Sequence, residues 1–264
     1  MKKPKISVLM TIYNHQNYLK NSIISILNQN YSNWELIAID NGSTDKSRKV
    51  LKSFKDKRIK KIFLKKNIGR TNCLNYGLDF CKGEFVAIQD SDDVALRGRL
   101  KKQLKSFDKF KNLSLVSSNC QIIDERNKIK KKKYMNYKNI NYRDLIFKNI
   151  IAHSTVMYRK NLIPKIGKYP KRFLYAQDYA FYLKVFKNYK IYISNENVLK
   201  ARIHSNSEGF RLSKTKTIVN EQIRLLIWSL KNLDPSTKEK IILISKYFFL
   251  KLKKFFRFLY LIKN

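Results

Sequence analysis

The feature that most constrains this chain is the strict alternation, over residues 5–93, of short apolar runs with amphipathic segments, each apolar run ending in polar side chains. Residues 6–12 (Ile-Ser-Val-Leu-Met-Thr-Ile) are almost continuously apolar, the pattern of a strand buried on both faces of a parallel sheet. Across residues 17–29, Leu19, Ile23, Ile24 and Leu27 recur at helical spacing. Residues 34–40 then read as a strand, 44–54 as a helix, 58–64 as a strand, and 69–81 as a helix with Leu74, Leu78 and Cys81 on one face. Residues 84–89 are a fourth strand. Strands alternating with helices of this length imply βαβ units, right-handed crossovers, and ligands bound at the carboxyl ends of the strands. The expected class is α/β, with a mostly parallel central sheet flanked by helices.

Each strand end carries chemically useful residues: Thr11, Tyr13 and Asn14 after the first, and Asp40, Asn41 and Ser43 after the second. Asn67 and Arg70 follow the third, and Asp90, Asp92 and Asp93 the fourth. One such cluster would mean little, but four on one sheet edge converge in one crevice. The run Asp90-Ser91-Asp92-Asp93 holds three carboxylates in four residues, whose mutual repulsion calls for a cation or several donors. Two oxygens of such a turn, with waters and substrate phosphates completing the shell, suit Mg²⁺ or Mn²⁺. The plain alternative is a solvated acidic turn or an acidic first turn of a helix. Asp40-Asn41-Gly42-Ser43-Thr44-Asp45 is equally turn and cap chemistry, with Ser43 or Thr44 capping the next helix.

Downstream the pattern loosens. Residues 100–110 read as a helix, 113–123 as a strand, 126–133 as a solvated basic loop, 154–158 as a strand and 178–186 as a helix. Residues 191–193 and 198–203 read as two short strands, the second ending at His204. His15 reads as a loop residue and His153 as a satisfied interior one. Residues 217–233 are helical, Asp234-Pro235-Ser236 breaks the helix, and 238–262 are apolar with interspersed Lys and Arg. At 100° per residue, Lys246, Lys253 and Arg257 share one face, opposite Phe248, Leu252, Phe255 and Leu259. Five cationic residues between 246 and 257 argue against a spanning helix and for a basic amphipathic helix in an anionic interface. The expected division is one domain over residues 1–212 and a helical, membrane-associating extension over 213–264.

The charge points the same way. Of 57 Lys+Arg and 19 Asp+Glu, residues 1–100 hold 19 and 9, and residues 101–264 hold 38 and 10. The net +38 is therefore concentrated in the second part and predicts a polyanionic partner: nucleic acid, an anionic membrane surface or a phosphorylated ligand. Nucleic-acid binding predicts aromatic residues interleaved with basic ones on a sheet face, or a recognition helix, and neither pattern is present. Three cysteines, at 73, 81 and 120, make neither a paired disulfide set nor a Cys-x-x-Cys metal pair. Cys73 and Cys81 read as buried. Residues 1–5 run straight into a strand with no apolar h-region, so the expected location is the cytoplasm, at the inner face of the cytoplasmic membrane.

Residues 7–14, 40–45, 67–69 and 90–93, in this order and spacing, resemble the signature of family 2 glycosyltransferases of the GT-A fold, in their bacterial surface-glycan branch. Ala176-Gln177-Asp178-Tyr179 is similar to that family's later Glu-Asp element, and Arg202-Ile203-His204 to its C-terminal histidine. The resemblance implies that Thr11, Tyr13 and Asp40 hold the base of a nucleotide sugar, that Asn14, Asn67 and Arg70 line its site, and that Asp90 lies near the ribose. It further implies that Asp92 or Asp93, with His204, holds a divalent cation (Mg²⁺ or Mn²⁺), and that Asp178 is the general base. Asn41 and Gln177 depart from the pattern, standing where relatives often carry Asp and Glu. The implied activity is inverting transfer from a nucleotide sugar, a UDP-sugar first, to a glycan or lipid-linked glycan in cell-surface polysaccharide or lipooligosaccharide synthesis. A polyprenyl phosphate acceptor, a basic nucleic-acid-binding protein and a catalytically silent lectin-like relative are the competing readings.

Overall fold

A computed structural model describes residues 4–133, 145–146, 149–205 and 217–263. Among these, nine strands form one mixed sheet flanked by helices on both faces. The chain opens β1 (Ile6–Ile12), α1 (Leu19–Leu27), β2 (Trp34–Asp40), α2 (Ser47–Ser53), β3 (Ile59–Phe63), α3 (Arg70–Leu78) and β4 (Phe85–Ile88). It continues through β5 (Val94–Ala95), α4 (Arg99–Lys109), β6 (Leu113–Ile123), β7 (Ile129–Lys133) and β8 (Met157–Arg159). It closes with α5 (Gln177–Asn188), β9 (Lys190–Arg202), α6 (Thr217–Asn232) and α7 (Thr237–Lys263).

Strand order is β3-β2-β1-β4-β8-β6-β9-β5, with β7 paired to β6. The first four strands are parallel, and β1 lies between β2 and β4, so chain order reverses across it. A crevice opens at the carboxyl ends of strands at such a switch point. β8 runs antiparallel to β4, which sets the residues just before β8 beside the end of β4.

Because β1 and β2 are covered on both sides, their alternate residues enter different cores. Leu9, Ile37 and Ile39 pack with α3 and α5, while Val8, Met10, Leu36 and Ala38 pack with α1 and α4. Gly77 lets α3 lie close, since a Cβ there would come within 2.4 Å of Leu9 and 2.6 Å of Ile39 side-chain atoms.

Three expectations are corrected. The basic loop at 126–133 contains a strand, β7, which pairs antiparallel with β6 through a turn in which Asp124 accepts the Arg126 and Lys128 amides. Its lysines hide the strand from hydrophobic patterning, yet lysine is common on sheet edges, where it discourages further pairing. The two strands expected around residues 191–203 are one, β9, parallel to β6. Register shifts at Ser118/Asn119 and Asn119/Cys120 absorb the polar stretch that reads as a break. The strand expected at 154–158 begins as a 3-10 turn, His153–Thr155, ahead of β8.

The C-terminal helices pack on the sheet domain. Leu225, Leu226 and Trp228 of α6 and Leu243 and Leu250 of α7 join the α3/α5 core, with Trp228 edge-on to Phe173. The boundary expected after residue 212 lies outside the described residues. Lys246 faces inward: its Nζ donates to the Ile146 carbonyl (3.2 Å) and sits 5.8 Å from the Tyr179 ring centre. Ile241, Ile244, Phe248, Phe249 and Leu252 face outward, Phe249 at 65% exposure. The side chains of Lys253, Phe255, Arg257 and Leu259, which complete the two expected faces, lie outside the described residues. Among the described residues no helix is long and apolar enough to cross a membrane.

Candidate active site

The loops after β1 and β2 are laced together. Asn14, in the left-handed region (φ 54°), donates its amide to Ser43 Oγ (3.1 Å) and accepts the Thr44 amide on Oδ1 (2.9 Å). The Gln16 amide donates to Asp45 Oδ2 (3.0 Å). These cross-loop bonds explain why α2 starts at Ser47 instead of Thr44. Asp45 takes the Ser47 amide, and Ser43 and Thr44 serve the loop after β1 instead of capping the helix. Asp40 is fully buried, with Oδ2 receiving Arg48 Nε and Oδ1 the Ser43 amide (2.9 and 3.3 Å). Thr11 lies at the end of β1, and the Tyr13 ring is 43% exposed at the crevice rim.

The loop after β3 is tied to the loop after β2. Asn41 Nδ2 donates to Asn67 Oδ1 (3.0 Å), and Asn41 Oδ1 accepts the Ile68 amide (3.0 Å). A neutral amide at 41 can do both, whereas an aspartate could only accept. Gly42 permits the approach, since a Cβ there would lie 2.5 Å from the Lys66 carbonyl carbon, and its φ is +71°. Arg70, opening α3, reaches Asp90 at the end of β4 (2.6 Å).

The acidic run divides. His15, Asp92 and His204 come together with one ligand atom from each within 4.8 Å of the others. His204 Nε2 lies 3.0 Å from Asp92 Oδ2, and His15 Nδ1 bonds Ser91 Oγ (2.7 Å). Burial pushes the Asp92 carboxyl up, but the His204 hydrogen bond and the two imidazoles outweigh it and hold it below the ordinary carboxylate range. Burial lowers the His15 pKa against the pull of Asp92. Asp93 turns away from this group. Its Oδ1 accepts the Arg202 amide (2.8 Å) and its Oδ2 the Ser154 hydroxyl, while burial and the charges of Asp92 and Asp90 raise its pKa well above the ordinary value. The structure thus separates the two candidate carboxylates: Asp92 joins the histidines, and Asp93 ties the end of β4 to β9 and the turn before β8.

Two buried arginines hold this framework. Arg202 donates from Nε to the Asp92 carbonyl (2.9 Å), and its other nitrogens reach the Asp124 carbonyl and Asn127 (2.8 Å each). Arg99 lies fully buried on the Ile88 carbonyl and Gln89 (2.7 Å each), and burial lowers its pKa to about 10.

Asp178 lies in the first turn of α5, partly buried, with Oδ1 accepting the Tyr179 amide (2.7 Å). The approach to α5 is held from α6: Glu221, 3% exposed, accepts the Tyr175 and Ala176 amides (3.4 and 3.3 Å). Gln177 is buried and turned into the protein interior. His15 is the member of this cluster that sequence reasoning missed. It follows Tyr13-Asn14 without a motif of its own and meets His204 only through the parallel β6–β9 pairing that returns β9 to this edge. Cys73 and Cys81 are buried, as expected, and burial pushes both thiols up to about 12.

A mixed sheet whose first four strands run parallel and switch at β1, flanked by helices on both faces, is the layout of a GT-A fold. Residues 7–167 match the family model for Glycosyl transferase family 2, and the chain belongs to that family. It is 38% identical over 210 residues to the O-antigen biosynthesis glycosyltransferase WbnJ of Escherichia coli, covering 76% of this chain and 81% of that one. Among solved structures it is similar to S. aureus TarS 1–349 in complex with UDP-GlcNAc (TM-score 0.74, 20% identity, 92% of this chain and 71% of that one). It is also similar to the mannosyltransferase PcManGT from Pyrobaculum calidifontis in complex with GDP-Man and Mn²⁺ (TM-score 0.67, 17% identity, 96% and 72%).

Proposed function

We propose that this glycosyltransferase moves a sugar, with inversion, from a nucleotide sugar, a UDP-sugar first, to a hydroxyl of a glycan or lipid-linked glycan in cell-surface polysaccharide or lipooligosaccharide synthesis. The observation that carries the reading is the convergence of the loops after β1, β2, β3 and β4 with the His15–Asp92–His204 cluster on one sheet edge. Thr11, Tyr13, Asn14 and Asp40 would line the base. Asn67 and the Arg70–Asp90 pair would line the ribose and diphosphate. His15, Asp92 and His204 would hold the divalent cation. Two imidazoles and a carboxylate favour Mn²⁺ over Mg²⁺, which prefers oxygen ligands. When bound, the cation would offset negative charge on the departing diphosphate. Asp93, whose oxygens accept from the Ser154 hydroxyl and the Arg202 amide, is assigned to support.

Asp178 is the proposed general base, taking the acceptor's proton as its oxygen attacks the anomeric carbon. One displacement, with the leaving diphosphate on the cluster side and the attacking hydroxyl on the Asp178 side, inverts the configuration. The experiment is a screen of UDP- and GDP-sugars for divalent-dependent release of the nucleoside diphosphate, which needs no acceptor.

The acceptor side is supported by α7. Its outward face carries Ile241, Ile244, Phe248, Phe249 and Leu252, with exposed Lys238, Lys240 and Lys251 alongside. Apolar side chains edged by lysines on a strongly basic protein fit an anionic bilayer interface, where a lipid-linked acceptor would be found. Flotation on vesicles with and without anionic lipid tests this. Binding to anionic vesicles alone agrees, and dimerisation in solution without vesicle binding contradicts it.

A further inference from the structure

One buried polar group is left unexplained by these assignments. His153 opens the 3-10 turn ahead of β8, and antiparallel pairing of β8 with β4 sets that turn on the same sheet edge as Asp90–Asp93. The turn is pinned on both sides. Ser154 donates to Asp93, and Thr155 Oγ1 bonds Ser117 Oγ (2.8 Å) and donates to the Ala152 carbonyl (2.8 Å).

The imidazole is equally fixed. Its Nδ1 lies 2.6 Å from the hydroxyl of Tyr182, and its ring meets Tyr169 edge-on with centres 5.7 Å apart. Tyr182 follows Asp178 by four residues on α5, so the two side chains stand on one helix face a turn apart. His153, held by Tyr182, is thereby brought near the proposed base, and the charges of Asp178, Arg70 and Asp90 all act on it. Its Nε2 is shielded from solvent and has no hydrogen-bond partner among the described residues. Leaving a ring nitrogen in that state is unfavourable, and such exceptions call for a cause. Burial disfavours the charged ring, lowering its pKa against the pull of Asp178.

We propose that His153 is a specificity-determining residue whose Nε2, closed to solvent in this structure, hydrogen-bonds a hydroxyl of the donor's sugar ring once donor binding uncovers it. The proposal rests on the nucleotide-sugar reading above and deepens it. The proposed contacts to base and ribose come from the loops after β1 to β4; His153, on the far side of β4, is placed to address the transferred sugar. Tyr182 fixes the ring, and when its hydroxyl donates to Nδ1 the proton resides on Nε2, which then seeks a sugar oxygen.

The test compares affinities for UDP, UDP-glucose, UDP-galactose and UDP-N-acetylglucosamine in the presence of Mn²⁺, for the native chain, His153→Phe and His153→Gln. Phenylalanine keeps the ring contact with Tyr169 but has no donor, whereas glutamine can place an amide near the Nε2 position. The expected result is unchanged UDP affinity in both variants. The extra affinity of the preferred UDP-sugar over UDP should fall about 5- to 10-fold in His153→Phe and recover in part in His153→Gln. Equal sugar preference in all three proteins, or an equal loss of UDP and UDP-sugar affinity, would overturn the proposal and leave the transferase reading standing. A native chain that binds neither these four nor any GDP-sugar would defeat that reading and the inference with it.

Discussion

The two ends of the molecule use apolar and charged residues in opposite ways. At the carboxyl edge of the sheet, Asp40, Asp92 and Asp93 are buried and each is met by donors: Arg48 on Asp40, His204 on Asp92, and the Arg202 amide and Ser154 hydroxyl on Asp93. On α7, large apolar side chains face outward while Lys246 points inward onto a carbonyl and an aromatic ring. Buried charge is unfavourable unless paired or set to work, and exposed apolar surface unless it meets a partner. The edge therefore has the character of a site built for a charged small ligand, and α7 that of a surface built for an extended one. Chemistry at the edge and attachment through α7 should be separable by mutation.

The largest separation should come from Asp178→Asn. Transfer falls by about 10²–10⁴-fold with donor affinity and vesicle binding intact, read from product formation beside donor titration. His15→Ala should weaken Mn²⁺ binding by at least about 10-fold, again without moving vesicle binding; unchanged Mn²⁺ affinity would remove His15 from the cluster. The reciprocal change is Phe248→Ser with Phe249→Ser. Affinity for anionic vesicles should fall by about 10-fold or more, with nucleotide-sugar hydrolysis unaltered. Loss of hydrolysis in that variant would mean that the two regions are coupled.

The smallest effect concerns Lys246, whose pKa burial lowers from 10.5 to about 8. Between these values the unfolded chain holds a proton that the folded chain has lost, so stability rises with pH across that window, and below about pH 8 the folded state bears the full penalty of a buried charge. Relative to Lys246→Met, the native protein should gain about 2 °C in Tm as pH rises from 7 to 10.

The two regions were unequally legible in the sequence. The first four strands and three helices could be read because short βαβ connections put each polar cluster at a strand end within the motif that names it. Asp92 and Asp93 are adjacent and chemically identical, and contacts with residues far along the chain, Ser154, Arg202 and His204, are what give them different surroundings. His15 has no local signal, and its partner lies 189 residues later. β7 was hidden because an edge strand of lysines lacks apolar alternation. On α7 the helical period sets Lys246 opposite Phe248 and Leu252, but could not say which side docks. Leu243 and Leu250 bury one apolar stripe, so Lys246, beside it, is carried inward.

The central claim, that the acid–histidine cluster serves nucleotide-sugar chemistry, is tested most directly by measuring nucleoside diphosphate release from UDP-sugars with and without Mn²⁺ in the native chain and in Asp92→Ala. The account predicts Mn²⁺-dependent release from at least one sugar by the native chain and none above background in the variant. Release that ignores Mn²⁺ and survives Asp92→Ala would contradict it.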